Sequence, residues 1–274
     1  MKRITLIISF IIALTTIAFG QTNDEIFNKA KECFAKEDYE CAESCYLKLV
    51  KNESDKILLA RYYSDLGTIQ RRIDKKKEAL KSYNLALKNN PYLITALTNR
   101  ATLNIQLGNT EEGLKDYEDA LKMDAYDESA LINRSSYYKK INKLDLAAAD
   151  LEQLLKHNPS NYKAKSNLAN IKKRLGKDDE ALKDFNELIA ERPDDALLLN
   201  NRADLYIKLK KYDEALKDVE KAITIDSKYL TAYITKGEIL LKLYKTDDAC
   251  KEFNYAIQNG FDKEQILELL KSCK

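Results

Sequence analysis

Tryptophan is missing from this 274-residue chain, histidine occurs once, and there are only three prolines and seven glycines. Each shortage excludes something. Folds made of many short strands turn often and draw on glycine and proline to do it, so this chain is not a turn-dense β-sandwich or barrel. One histidine, His157, leaves little for acid–base catalysis or metal ligation. No charge of one sign predominates: 46 Lys and Arg stand against 44 Asp and Glu. That balance gives no electrostatic basis for nucleic-acid binding. What remains is 45% hydrophobic and 33% charged, enough apolar material for a core and too much for a disordered chain.

The motifs of catalysis are missing as well. There is no glycine-rich phosphate loop, no nucleophile elbow and no metal-type His/Cys spacing. The many Asp and Glu alternate with Lys in the manner of solvated helix faces. His157 stands in Lys-His-Asn-Pro, where a helix C-terminus favours its cation without implying a partner. No enzyme, no catalytic residue, no metal and no small-molecule cofactor is expected.

The first twenty residues read differently from the rest. Lys2 and Arg3 precede an uncharged run, Ile4 to Phe19, and Ala18-Phe19-Gly20 sets small residues three and one before a cut ahead of Gln21. This is the pattern of a secretory signal over residues 1–20. The apolar run is shorter than the roughly 20 residues of a spanning helix. Export to the periplasm or outside is expected, with no integral membrane segment after cleavage. Without Lys2 and Arg3 the chain holds 44 charges of each sign.

Periodicity sets the architecture. Pro91, Pro159 and Pro193 share one phase of a 34-residue period. Ala79, Gly113, Ala147, Ala181, Ala215 and Ala249 repeat at that step, each followed four residues later by Tyr83, Tyr117, Leu151, Phe185, Val219 or Phe253. Seven residues on come Ala86, Ala120, Leu154, Leu188, Ala222 and Ala256; twelve before come Gly67, Ala101, Ser135, Ala169, Ala203 and Gly237. Ala30, Ala42, Tyr46 and Leu49 begin the series, displaced by three extra residues near Ser54 to Ile57. Steps of four and three place those side chains on one helical face. Gly108 and Gly176 mark the turn between helices, and the prolines mark the end of the second helix. A helical hairpin that cannot cover its own apolar face must stack on the next one. The expected units are about 23–56, 60–93, 94–127, 128–161, 162–195, 196–229 and 230–263. Residues 264–274, with Ile266, Leu267, Leu269 and Leu270 apolar, are expected to form a capping helix.

This register resembles the tetratricopeptide repeat family over about residues 23 to 263. The resemblance rests on Leu66-Gly67, on Ala79, Tyr83, Ala86 and Pro91, and on Tyr212, Ala215 and Leu216. It departs in lacking tryptophan: Tyr63, Leu97, Leu131, Leu199 and Tyr233 hold that column, and Lys165 weakens it in the fifth repeat. The resemblance implies an all-α fold, an α-solenoid forming a right-handed superhelix of about seven helix-turn-helix repeats, and a non-enzymatic protein-binding role.

Two columns are candidates for that role. Asn99, Asn133, Asn167 and Asn201 lie 34 apart, and each amide offers a donor and an acceptor to a peptide backbone. In the family this column faces the concave groove. Arg72, Lys140, Arg174, Lys208 and Lys242 form a basic column, broken by Gln106, near each first-helix C-terminus. There they either complement the helix dipole or form a stripe that favours acidic peptides. Arg100, Arg134 and Arg202 would add to such a stripe if they point inward. The family's carboxylate-clamp residues are matched only in part.

The five cysteines sit at the two ends, as staples would. Cys250–Cys273 would pin the cap. Cys33 lies as far before its turn as Cys41 lies after it, with Cys45 the competing partner (Cys33–Cys45). Cys33, Cys41 and Cys45 lack the fourth ligand and the short spacing of a zinc site. The reading is a scaffold that binds a protein or extended peptide, favouring acidic ones, in its groove. The alternatives are a structural component of a cell-envelope assembly acting through its convex face or ends, and glycan or peptidoglycan binding, which rests only on groove polarity and tyrosine.

Overall fold

The computed structural model describes residues 22–273, and the expected signal at 1–20 lies outside them. Among the described residues there is helix and no strand. The chain divides into two compact units, Met1–Gly113 and Leu114–Lys274, with the division inside helix α6 (Thr110–Met123). The N-terminal unit holds α1 (Asn23–Ala35), α2 (Tyr39–Asn52), α3 (Lys56–Arg72), α4 (Lys76–Asn89) and α5 (Ile94–Gln106). The C-terminal unit holds α7 (Glu128–Lys140), α8 (Leu144–His157), α9 (Tyr162–Arg174), α10 (Asp178–Glu191), α11 (Ala196–Lys208), α12 (Tyr212–Ile225), α13 (Leu230–Lys242) and α14 (Thr246–Gln258).

Consecutive helices pack in pairs within each unit, the layering of an α-solenoid. Odd-numbered helices also touch one another, α3 against α5, and α9 against α11 against α13, so each unit has a face made of first helices. The periodic columns form the core. Ala79, Tyr83 and Ala86, Ala181 and Phe185, and Ala249, Phe253 and Ala256 are all fully buried. Gly67 shows why the first-helix position must be small: a Cβ there would lie 2.7 Å from the Tyr83 ring. Where the column carries Ser135, its hydroxyl donates to the Ala147 carbonyl at 2.8 Å.

The turns repeat as faithfully as the core. Gly108 and Gly176 have positive φ, and so do Asp74, Asn142, Lys210 and Tyr244 in the same register, with Glu37 in the first hairpin. In each turn the following N–H donates back across six residues, as in Lys143 to Tyr138 O and Lys211 to Tyr206 O. This closes the last turn of the odd helix as a Schellman motif. Helices α7, α9 and α11 begin under side-chain caps in which Asp127, Asn161 and Asp195 accept from Ala130, Ala164 and Leu198, whereas α5 and α13 begin without one.

The tail departs from expectation. Instead of one helix it is three short pieces: a 3₁₀ turn at Lys263–Ile266, α15 (Leu267–Leu270) and a second 3₁₀ turn at Lys271–Cys273. Ile266 is buried against the last hairpin, and Cys273 is tied to Cys250. A chain anchored at both points bends between them, and the backbone breaks at Ile266 (φ −126°).

Candidate binding face

On the first-helix face of the C-terminal unit, α7, α9 and α11 carry Asn133, Asn167 and Asn201, all half-buried. Asn167 and Asn201 make no side-chain hydrogen bond among the described residues. Beside them Lys173 Nζ lies 3.3 Å from Asp204 Oδ2 and donates to the Asn201 carbonyl, joining α9 to α11. Partial burial raises the Asp204 carboxyl above the usual range, opposed by Lys173 and by a hydrogen bond with Thr235. Burial also raises Glu238, the Asp204 charge adds to the rise, and Lys242 opposes it. The face is therefore a row of amides with two partly buried carboxylates, Asp204 and Glu238, on the neighbouring odd helices.

In the N-terminal unit the fourth asparagine has a partner. Asn99 donates to Thr68 Oγ1 at 3.3 Å. One period earlier the same position is Asp65, which accepts from Tyr46 Oη at 3.1 Å. Asp65, Thr68, Phe34, Ile69, Lys31 and Tyr46 line a pocket of about 340 Å³. Asp65 keeps the 34-residue spacing of the asparagine column but not its residue type, so it belongs to the column by position and not by composition.

The basic column does not form a free stripe. The Arg174 guanidinium donates to Lys139 O at 3.1 Å and to Asn142 Oδ1 at 2.9 Å. Lys208 donates to Lys173 O at 3.4 Å and pairs with Asp178 at 2.6 Å. Arg72 donates to Tyr39 Oη and lies over the Phe34 and Tyr39 rings. Each cation reaches back to the turn of the preceding hairpin. For Arg174 and Lys208 the carbonyl met is in the last turn of the preceding odd helix, so the dipole complemented is the neighbour's. Lys140 and Lys242 are exposed.

Arg134 and Arg202 turn towards the second helices. Arg134 is held by Asp150 through contacts of 2.6 and 3.0 Å. Arg202 is held by Asp218 through two of 2.7 Å and also donates to Asn186 on the preceding second helix. Lys236, 34 residues on, stands between Glu220 and Glu252 in the same way. Arg100 reaches back likewise to Asn84 at 2.8 Å. Arg100, Arg202 and Lys236 thus join one hairpin to the preceding one, while Arg134 joins the two helices of its own hairpin.

The cysteines pair as Cys33–Cys41, with Cα atoms 5.8 Å apart, and Cys250–Cys273, at 5.6 Å. Cys45 is a buried free thiol. His157 ends α8 and stacks on Tyr126, ring centroids 4.5 Å apart. Among the described residues no helix is long and apolar enough to cross a membrane.

Models of the tetratricopeptide repeat match residues 60–92, 94–127, 142–205 and 196–229. A tetratricopeptide repeat protein from Parabacteroides merdae is 35% identical, with TM-score 0.74, over 92% of this chain and 99% of that one. PilF of Pseudomonas aeruginosa shares the fold at 14% identity and TM-score 0.66, over 80% of this chain and 99% of its own. YrrB, a tetratricopeptide repeat protein with an unusual peptide-binding site, does so at 19% identity and TM-score 0.53, over 68% and 95%. No curated protein sequence matches.

Proposed function

The chain belongs to the tetratricopeptide repeat family, and from that premise we propose that it is an exported, non-enzymatic scaffold. It holds an extended protein segment on the first-helix face of its C-terminal unit. The observation that carries this reading is the pair Asn167 and Asn201, half-buried amides on adjoining odd helices with no side-chain partner among the described residues. Each presents a donor and an acceptor, the complement of one peptide unit. Such contacts read backbone rather than side chains, so the face accepts many sequences. An acidic preference draws only on Lys140 and Lys242, since Arg174 and Lys208 are engaged within the fold. Export rests on residues 1–20 and their signal pattern.

The test uses peptides selected on the purified protein from a random library, with affinity read by calorimetry. Asn167→Ala with Asn201→Ala removes the contacts of two amides, about 1 kcal/mol net for each amide, so affinity should fall roughly thirtyfold. Helicity and melting should stay near wild type, because neither amide supports the fold. Unchanged affinity would move the binding surface off this face, to the second helices or the ends.

A further inference from the structure

Three sulfur atoms gather in the first hairpin. Cys33 lies near the end of α1, and Cys41 and Cys45 lie one turn apart on α2. Their Sγ atoms all fall within 4.8 Å of one another. Cys33 and Cys41 are bonded, while Cys45 remains a thiol. Cys33 and Cys45 are buried, and Cys41 is only half-buried.

A thiolate beside a disulfide is the reactant geometry for exchange. Of the two sulfurs that Cys45 can reach, only one leads to an acceptable product. Attack on Cys41 would join residues four apart in one helix, whose Cβ atoms stand about 5–6 Å apart. A disulfide holds its Cβ atoms about 3.5–4.5 Å apart. Attack on Cys33 joins α2 to α1, as the existing bond already does.

We propose that Cys33, Cys41 and Cys45 form an exchange centre that makes Cys41 a site of mixed-disulfide modification by a small-molecule disulfide of the glutathione type. Cys45 loses its proton, and its sulfur attacks Cys33 Sγ. The Cys33–Cys45 bond forms, the Cys33–Cys41 bond breaks, and the electron pair leaves on Cys41 Sγ, which takes up a proton. Nothing is oxidised or reduced overall. The free thiol has moved from a buried to a half-buried position. Deprotonated again, Cys41 attacks one sulfur of the small disulfide, forms the mixed disulfide and releases the other half as a thiolate that is then protonated. The hairpin keeps one covalent link between α1 and α2 throughout. This inference does not depend on the peptide-binding face.

The native protein is incubated with glutathione disulfide, quenched in acid and mapped without reduction. The expected product carries the adduct on Cys41 together with a Cys33–Cys45 linked peptide pair. Cys45→Ser, lacking the attacking sulfur, should show no adduct and an intact Cys33–Cys41 bond. Cys41→Ser should oxidise to Cys33–Cys45, and circular dichroism checks that each variant folds. An adduct on Cys45 with Cys33–Cys41 intact would overturn the proposal. So would an adduct on Cys41 in Cys45→Ser, or two free thiols in a folded Cys41→Ser. So too would a wild type that stays unmodified over a time in which the urea-unfolded chain reacts.

Discussion

Lys210 occupies the left-handed position of the turn between α11 and α12, at φ 59°. Its N–H donates to Ile207 O at 3.0 Å, and the next N–H, of Lys211, donates to Tyr206 O at 2.8 Å. Its side chain is exposed. Lys210→Gly therefore keeps both backbone bonds and changes little but the conformational term. A residue with a Cβ pays about 1–2 kcal/mol in this region. Glycine relieves that strain but loses about 0.5–1 kcal/mol through its freer unfolded chain. The variant should gain about 0.5–1 kcal/mol. Gly176 sits in the equivalent turn at φ 79°, with nothing within 4 Å of where a Cβ would lie. Gly176→Ala meets no steric neighbour, so it isolates the same term with the opposite sign and should lose about 0.5–1 kcal/mol. Urea unfolding followed by circular dichroism measures both, the midpoints moving in opposite directions at constant slope. If Lys210→Gly unfolded at lower urea, or Gly176→Ala left the midpoint unmoved, conformational strain would not be what the periodic turn carries.

Gly237→Ala tests the close approach: its Cβ would run into the Phe253 ring, so an overpacking cost of about 1–3 kcal/mol should outweigh the roughly 1 kcal/mol of helix propensity gained. A thermal melt above wild type would contradict this. Arg174→Met should lower stability by about 1 kcal/mol through the lost bonds to Lys139 O and Asn142, yet leave peptide affinity unchanged. Loss of affinity without loss of stability would return Arg174 to the binding face.

The helical pairing was legible because close packing tolerates little variation at a fixed position. Gly67 must be small and Tyr83 large for α3 and α4 to meet, and the same requirement returns every 34 residues. The turn register was only half visible. Gly108 and Gly176 announced it, but Lys210 and Tyr244 take the same positive φ without glycine, because the back-donated hydrogen bond and the packed helices hold them there. The tail misled for a related reason: apolar spacing over Ile266 to Leu270 fits a helix, while the anchors at Ile266 and Cys273 impose a bent path. The basic column was visible as a column, but the direction of its side chains was not. A residue at a helix C-terminus can serve its own dipole or its neighbour's, and spacing alone does not distinguish them.

Reach separates the periodic polar residues into two groups. Arginine and lysine have stems long enough to cross to the adjoining hairpin, and Arg134, Arg174, Arg202 and Lys208 all find partners on other helices. Arg174, Arg202 and Lys208 reach a neighbouring hairpin and contribute to stacking, while Arg134 holds together the two helices of its own hairpin. Asparagine has one methylene before its amide. Asn99 meets a partner only because Thr68 brings a hydroxyl to 3.3 Å. Asn167 and Asn201 make no side-chain hydrogen bond among the described residues, and a half-shielded amide left unpaired adds nothing to stability. Stability thus accounts for the long cations and leaves Asn167 and Asn201 without a role inside the fold. An extended backbone laid across α9 and α11 would give both amides the donor and acceptor they lack. The same division explains why removing the amides is expected to change binding alone and removing Arg174 to change stability alone.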